Sequence, residues 1–376
     1  MEFLSSERET LERLLPGLDA ALREIGLADL ERPGGPGIQA FRDAGGAGLL
    51  VPVEHGGLGA TPLDAVRVQR AIGVRSPSLA VATTMHHFSV ASLLEVSKHS
   101  SGFEWMLLAA IAKDGLLLAS GFAEGKTGQG ILAPTMSAAR RGGKLLVSGV
   151  KRPCSLSRSM DLLTASVLVP DESGQEQFAV ALIPAGSPGL TVNPFWGNWV
   201  LAGAESDEVV LTDVEVDPGM VVVTEISRDS RLDPLQTAGF LWFELLITAS
   251  YLGMVSSLVE RTLRRTEIGA AERAAAAVSV QAAMVGVEGI ARNATAEDSA
   301  WPRLLSEALV LRYATQDMIG RTAQRCVEAL GGMSFVGSGE AAYLAAASAG
   351  LAFHPPSRSR MADQLCEVFA GGPLRV

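Results

Sequence analysis

Two side chains in the last third of the chain have the chemistry to move protons. Glu244 is a carboxylate inside the otherwise apolar run 240–259, where a charge is costly without a partner or a task. His354 is followed by Pro355 and Pro356, and imidazole is the side chain whose ordinary pKa lies nearest neutrality. A single histidine also serves readily as a packed structural residue. His86 and His87 are neighbours; on a helix they would point in different directions, which is too little for a metal site. The string Phe122-Ala123-Glu124-Gly125-Lys126-Thr127-Gly128-Gln129-Gly130 is glycine-rich and could bring backbone close to a ligand. Arg265 lies at a helix-like end, where a guanidinium could meet phosphate oxygens in pairs or simply face the helix dipole. Cys154, Cys326 and Cys366 are far apart, so they suggest neither a disulfide framework nor a zinc site, and a reducing cytoplasm fits them.

Three kinds of segment must hold these residues. Over 7–113 the apolar residues Leu11, Leu14, Leu15, Leu18, Leu22 and Ile25 begin a helical spacing of three and four. Over 116–223 short β-rich runs follow one another: 116–122, 135–140, 144–150, 162–169, 178–183, 190–192 and 208–211. Gly142-Gly143 marks a hairpin between two of them. Such a series predicts a small barrel or sandwich. Long helical periods return at 240–267, 272–295 and 301–330, lengths that suit an antiparallel bundle. The expected fold is therefore α+β and multidomain: an N-terminal helical domain over 1–115, a central β domain over 116–228 and a C-terminal four-helix bundle over 229–376. The 376 residues, 48% hydrophobic and 19% charged, allow a large core. A net charge of -10 without a dense Lys/Arg block argues against nucleic acid as partner. Residues 1–16 lack the apolar stretch of a signal peptide. The run 240–259 is apolar enough to raise a membrane span, but charged residues continue its helical pattern and a buried bundle helix is expected instead.

The segment Gly48-Leu49-Leu50-Val51-Pro52-Val53-Glu54-His55-Gly56-Gly57-Leu58-Gly59 reads locally as a tight turn. With its flanks it resembles the N-terminal domain of the acyl-CoA dehydrogenase superfamily, and the α-β-α order extends that resemblance along nearly the whole chain. The string at 122–130 stands where the family has T-E-P-x-x-G-S-D; Glu124 and Gly128 match, while Gln129-Gly130 replaces Ser-Asp. Ser148-Gly149-Val150-Lys151-Arg152-Pro153-Cys154-Ser155 is similar to N-G-x-K-x-W-I-[ST], with Pro153 for the Trp. Arg265-Thr266-Glu267-Ile268-Gly269 resembles R-x-x-F-G, and Glu328 to Phe335 resembles Q-x-x-G-G-x-G-[FY] with Glu328 for Gln and Ser334 for the last Gly.

The resemblance implies an FAD flavoprotein acting as a homodimer or homotetramer. It implies flavin contacts at Phe122, Glu124, Gly128, Cys154, Ser155, Arg265, Glu328, Gly331 and Gly332, and substrate contacts at His86, His87 and Gln129. No metal is implied. The activity implied first is α,β-dehydrogenation of an acyl thioester carried on coenzyme A or a carrier protein, with a separate electron acceptor. The family's usual catalytic Glu position is Pro355 here, so Glu244 is the expected base. The alternative is a two-component flavin monooxygenase fed by a flavin reductase. Members of that kind often carry a histidine in the last helical region, which would make His354 a proton donor. The further alternative is a non-catalytic paralogue acting as a partner subunit.

Overall fold

In the computed structural model, residues 2–98, 103–126, 134–223, 232–294 and 300–375 are described. Among these residues seven α-helices come first: α1 (Ser5–Leu14), α2 (Leu18–Ile25), α3 (Leu27–Glu31), α4 (Gly37–Asp43), α5 (Pro62–Arg75), α6 (Pro77–Ser97) and α7 (Phe103–Asp114). Eight strands follow among the described residues: β1 (Leu118–Gly121), β2 (Ser137–Arg141), β3 (Lys144–Cys154), β4 (Leu162–Pro170), β5 (Glu176–Pro184), β6 (Leu190–Asn193), β7 (Asp207–Val216) and β8 (Val221–Val223). The chain ends in α8 (Pro234–Arg264), α9 (Ala270–Asn293), α10 (Trp301–Gly337), α11 (Glu340–Ser348) and α12 (Arg358–Phe369). The α+β class and the bundle agree with the reading of the sequence. The expected boundary at 228/229 lies outside the described residues.

Local chemistry sets the ends of the helices that matter for the site. Ser76 caps α6, with Pro77 at the first helical position. Asp233 and Gln236 form a reciprocal capping box at the start of α8, with Pro234 following the cap. The Gly48–Gly59 turn folds back on itself: Leu58 N–H donates to Gly48 O (3.0 Å) and Gly59 N–H to Val51 O (2.8 Å). It then delivers Thr61, whose side chain caps α5 in a second capping box with Asp64.

The sheet runs in the order β6-β7-β3-β2-β4-β5-β8, with β1 parallel to β4. The β2–β3 hairpin closes with Arg141 opposite Lys144 across Gly142-Gly143, both at positive φ (55° and 78°), as the sequence predicts. β4 is buried at six successive residues, because both of its faces are covered.

Helix α8 is the axis of the molecule, packed against α5, α6, α9, α10 and α11. It crosses α5 where Gly73 meets Gly253: a methyl on Gly253 would lie 2.3 Å from Arg70 O, so glycine is needed for the backbones to approach. Helices α8 and α9 are each long and apolar enough to cross a membrane, but 94% of the apolar window of α8 is buried inside the protein. Its hydropathy serves the bundle core.

Candidate active site

A cavity of about 750 Å³ opens between α6, the sheet, α8 and the segment after α11. Helix α6 contributes Met85, Phe88, Ser89 and Ser92; the strands and their loops contribute Ser120, Phe122, Glu124, Pro153, Ser155, Thr164 and Ser206; α8 contributes Phe240, Phe243 and Tyr251; the last wall is Ala346, Gly350, Phe353, His354 and Pro355. The volume and the apolar lining with a few polar groups are those of a small-molecule site. Hydroxyls form the polar minority. Ser155 Oγ and Ser206 Oγ share a hydrogen bond of 2.9 Å, and Ser89 Oγ lies 3.2 Å from Thr164 Oγ1.

His354 is brought into this wall by the short helical turn Ala349–Phe353. Its Nε2 shares a 2.9 Å hydrogen bond with the Tyr251 hydroxyl, and its ring meets Phe243 and Tyr251 edge-on, with centroids 6.1 and 5.4 Å away. Burial, helped by the positive charge of Arg312, pushes the imidazole pKa down to about 3. The ring is therefore neutral near pH 7, with one nitrogen held by Tyr251. Burial raises the Tyr251 phenol, so this hydroxyl also stays neutral.

Glu244 does not line the cavity. Phe243 does, and the next residue on a helix points about 100° away. Both Glu244 oxygens instead accept from Arg312 Nη1, at 2.7 and 3.0 Å, and both side chains are fully buried. Desolvation raises the Glu244 carboxyl pKa against the opposing pull of Arg312. A general base must reach the proton it takes. With its oxygens turned to Arg312, Glu244 lacks the geometry expected of the base.

The other expected site residues divide in the same way. Phe122, Glu124 and Ser155 line the cavity. Glu124 is engaged: it accepts from Lys151 Nζ (2.8 Å), from Thr135 N–H and Oγ, and from Met136 N–H. Cys154 is buried beside the cavity without lining it, and desolvation pushes its thiol up to about 12, so it is an inert core residue. Arg265 is exposed and pairs with Glu267 at 3.1 Å. Glu328 is exposed and accepts from Gln324. Gly331 kinks α10, and neither it nor Gly332 lines the cavity. Gly128 and Gln129 lie outside the described residues.

His86 and His87, expected as substrate contacts, are fully buried, and neither lines the cavity. His86 Nε2–H donates to Ala47 O at 2.9 Å and Nδ1 accepts from Leu118 N–H at 3.1 Å, which ties α6 to the Gly48 turn and to β1. His87 packs edge-on against Phe41. Burial depresses both, His86 to about 4. Because the unfolded chain binds protons that these rings refuse, stability present above the ordinary value of 6.5 is lost as pH falls toward 4. Glu31, whose carboxyl pKa burial raises, works in the opposite direction. Lowering the pH from 7 to 5 is expected to remove about 2 kcal/mol through His86 alone. Urea unfolding at the two pH values measures it, and His86→Asn should flatten the dependence.

Tyr251, Arg312 and Ser206 carry much of the site and were not singled out in the sequence. Arg312 and Ser206 become visible only through the pairing of distant segments.

No protein-family model matches the chain. Isobutylamine N-hydroxylase of Streptomyces viridifaciens is 46% identical over 379 residues, covering 100% of both chains. The solved structure of KijD3 with FMN and a dTDP-linked amino keto sugar superposes with a TM-score of 0.82 at 18% identity, over 98% of this chain and 94% of that one. FMN-bound TdsC from Paenibacillus sp. A11-2, a dibenzothiophene monooxygenase, gives a TM-score of 0.79 at 18% identity, over 99% and 98%. Fold and full-length relative together define the class: the chain belongs to the acyl-CoA dehydrogenase superfamily. Within that superfamily its full-length likeness is to an N-hydroxylase of a small alkylamine.

Proposed function

We propose that the chain is a flavin-dependent monooxygenase that hydroxylates the nitrogen of a small aliphatic primary amine, supplied with reduced flavin by a separate reductase. The observation that carries this reading is the neutral His354, held by Tyr251 in the wall of a largely apolar cavity. The one carboxylate among the described lining residues, Glu124, is taken up by Lys151. Acyl-thioester dehydrogenation asks for a free base in reach of the substrate, so these walls favour the monooxygenase. The amine N-hydroxylase relative supports the substrate class.

The residues present fit a flavin: a broad apolar cavity, with the hydroxyls of Ser155 and Ser206 at one wall for a polar ring edge. Reduced flavin, when bound, supplies the two electrons that let one oxygen atom of O2 enter the amine N–H bond while the other leaves as water. His354, in the cavity wall with Nε2 on the Tyr251 hydroxyl, would keep a proton on one ring nitrogen and supply a hydrogen bond to a bound group. Phe88, Phe122 and Phe243 limit water and shape the space left for a short alkyl chain. Four of the expected FAD contacts, Arg265, Glu328, Gly331 and Gly332, do not line the cavity, and FMN is the simpler occupant. A homodimer or homotetramer would be needed for them to reach it from a second copy.

The test is direct. Photoreduced FMN, aerobic buffer and isobutylamine should give the hydroxylamine, 16 mass units heavier than the amine, or 18 with 18O2. Peroxide without hydroxylamine across C3 to C6 primary amines would overturn the reading. Anaerobic bleaching of bound flavin by acyl thioesters would restore the dehydrogenase.

A further inference from the structure

The segment that presents His354 has little packing of its own. Its last turn ends at Phe353, which is 86% exposed; within that turn Leu351 is the buried residue, and beyond it Pro356 is buried. What holds it is polar and comes from α10. Arg312 donates to Leu351 O (3.3 Å) and Pro355 O (3.2 Å), and to His354 O. Tyr313 Oη donates to Pro356 O at 2.8 Å. On the other side the segment lies against α8 so closely that a methyl on Gly350 would stand 2.6 Å from the Tyr251 hydroxyl. Arg312 can serve three carbonyls because Glu244, buried on α8, satisfies the remaining charge. A guanidinium carries five donors in a rigid fork, which a point-charge ammonium cannot copy.

We propose that Glu244 and Arg312 are positioning residues: their buried ion pair clamps the Leu351, His354 and Pro355 carbonyls and so sets the His354 imidazole against Tyr251 at the cavity wall. The consequence for the reaction rests on the monooxygenase reading; the placement of the imidazole does not. A buried ion pair is weak evidence for stability, since apolar residues of similar volume often replace it at no cost. Here the pair has a second output, the position of one ring. Glu244, Arg312, Tyr251 and Tyr313 are the ionisable groups facing this segment from α8 and α10.

Three variants separate positioning from stability: the double variant Glu244→Leu/Arg312→Met, the single variant Arg312→Lys, and His354→Ala as comparator. The first readout uses the flavin-free protein. Long-range 15N NMR should show one His354 tautomer and no titration above pH 5 in the wild type. In Arg312→Lys, which keeps the positive charge, both tautomers and a titration nearer 6.5 should appear, reporting ring placement rather than charge. The second readout is hydroxylamine formed per O2 consumed with reduced FMN and isobutylamine. It should fall about tenfold to a hundredfold in both pair variants, with the amine KM within about threefold and the double variant's melting temperature close to wild type. A wild-type tautomer together with wild-type coupling in either folded variant would overturn the proposal. Should the double variant not fold, Arg312→Lys alone decides it by the same criteria. If the wild type makes no hydroxylamine, the monooxygenase reading fails, and the imidazole readout still decides the pair.

Discussion

Replacing His354 by alanine is expected to lower hydroxylamine formation by about 10²- to 10³-fold, the range for losing a preorganised hydrogen-bond donor, while the fold is retained. His354 is half-buried and neutral, so its removal opens space at the cavity wall without stranding a charge, at the cost of one hydrogen bond to the buried Tyr251 hydroxyl. The oxygen consumed should then appear as hydrogen peroxide. Parallel assays of hydroxylamine and peroxide under saturating amine, with circular dichroism to confirm folding, check it. His354→Gln, which keeps a donor of similar length, should recover part of the activity. Full activity in the alanine variant would remove His354 from the reaction. Because the ring titrates at about 3, its loss should leave the activity profile between pH 6 and 8 unchanged in shape.

Replacing Lys151 by methionine is expected to cost about 3–5 kcal/mol, the usual effect of leaving half of a buried ion pair. The Glu124 carboxylate is 2% exposed and Lys151 fully buried. Desolvation lowers the Lys151 pKa, and Glu124 opposes that shift. Lys151 also donates to Ser166 Oγ at 2.9 Å, so β3 loses a tie to β4. Glu124 keeps its donors from Thr135 and Met136, which places the loss toward the lower end. Urea denaturation gives the difference, and the double variant Glu124→Gln/Lys151→Met should regain most of it. The effect on the site should be secondary: Glu124 anchors the strand exit that carries Phe122 into the cavity.

Glu124, Lys151 and Ser155 lie in strings whose local spacing resembles the superfamily, and all three fall on or directly behind the cavity wall. Glu244 was legible as an anomaly, a carboxylate in an apolar helix, but its task was not. Whether such a group serves as base or partner depends on what stands across the bundle, 68 residues away at Arg312. The placement of His86 and His87 depends on the same kind of distant packing: a buried helix has a cavity side and a core side, and adjacent histidines do not say which is which.

Hydrophobic period, glycine turns and capping residues are local, acting over two to four positions. They were enough to set the α-β-α order, the hairpin at Gly142-Gly143 and the expectation that 240–259 is a core helix. The meaning of His354 is not local. Its neutrality comes from burial beneath α8 and from the charge of Arg312 on α10, and its aim comes from Tyr251. Desolvation and hydrogen bonding act through space, so only the packed bundle turns a histidine before two prolines into a held, neutral group at a cavity wall.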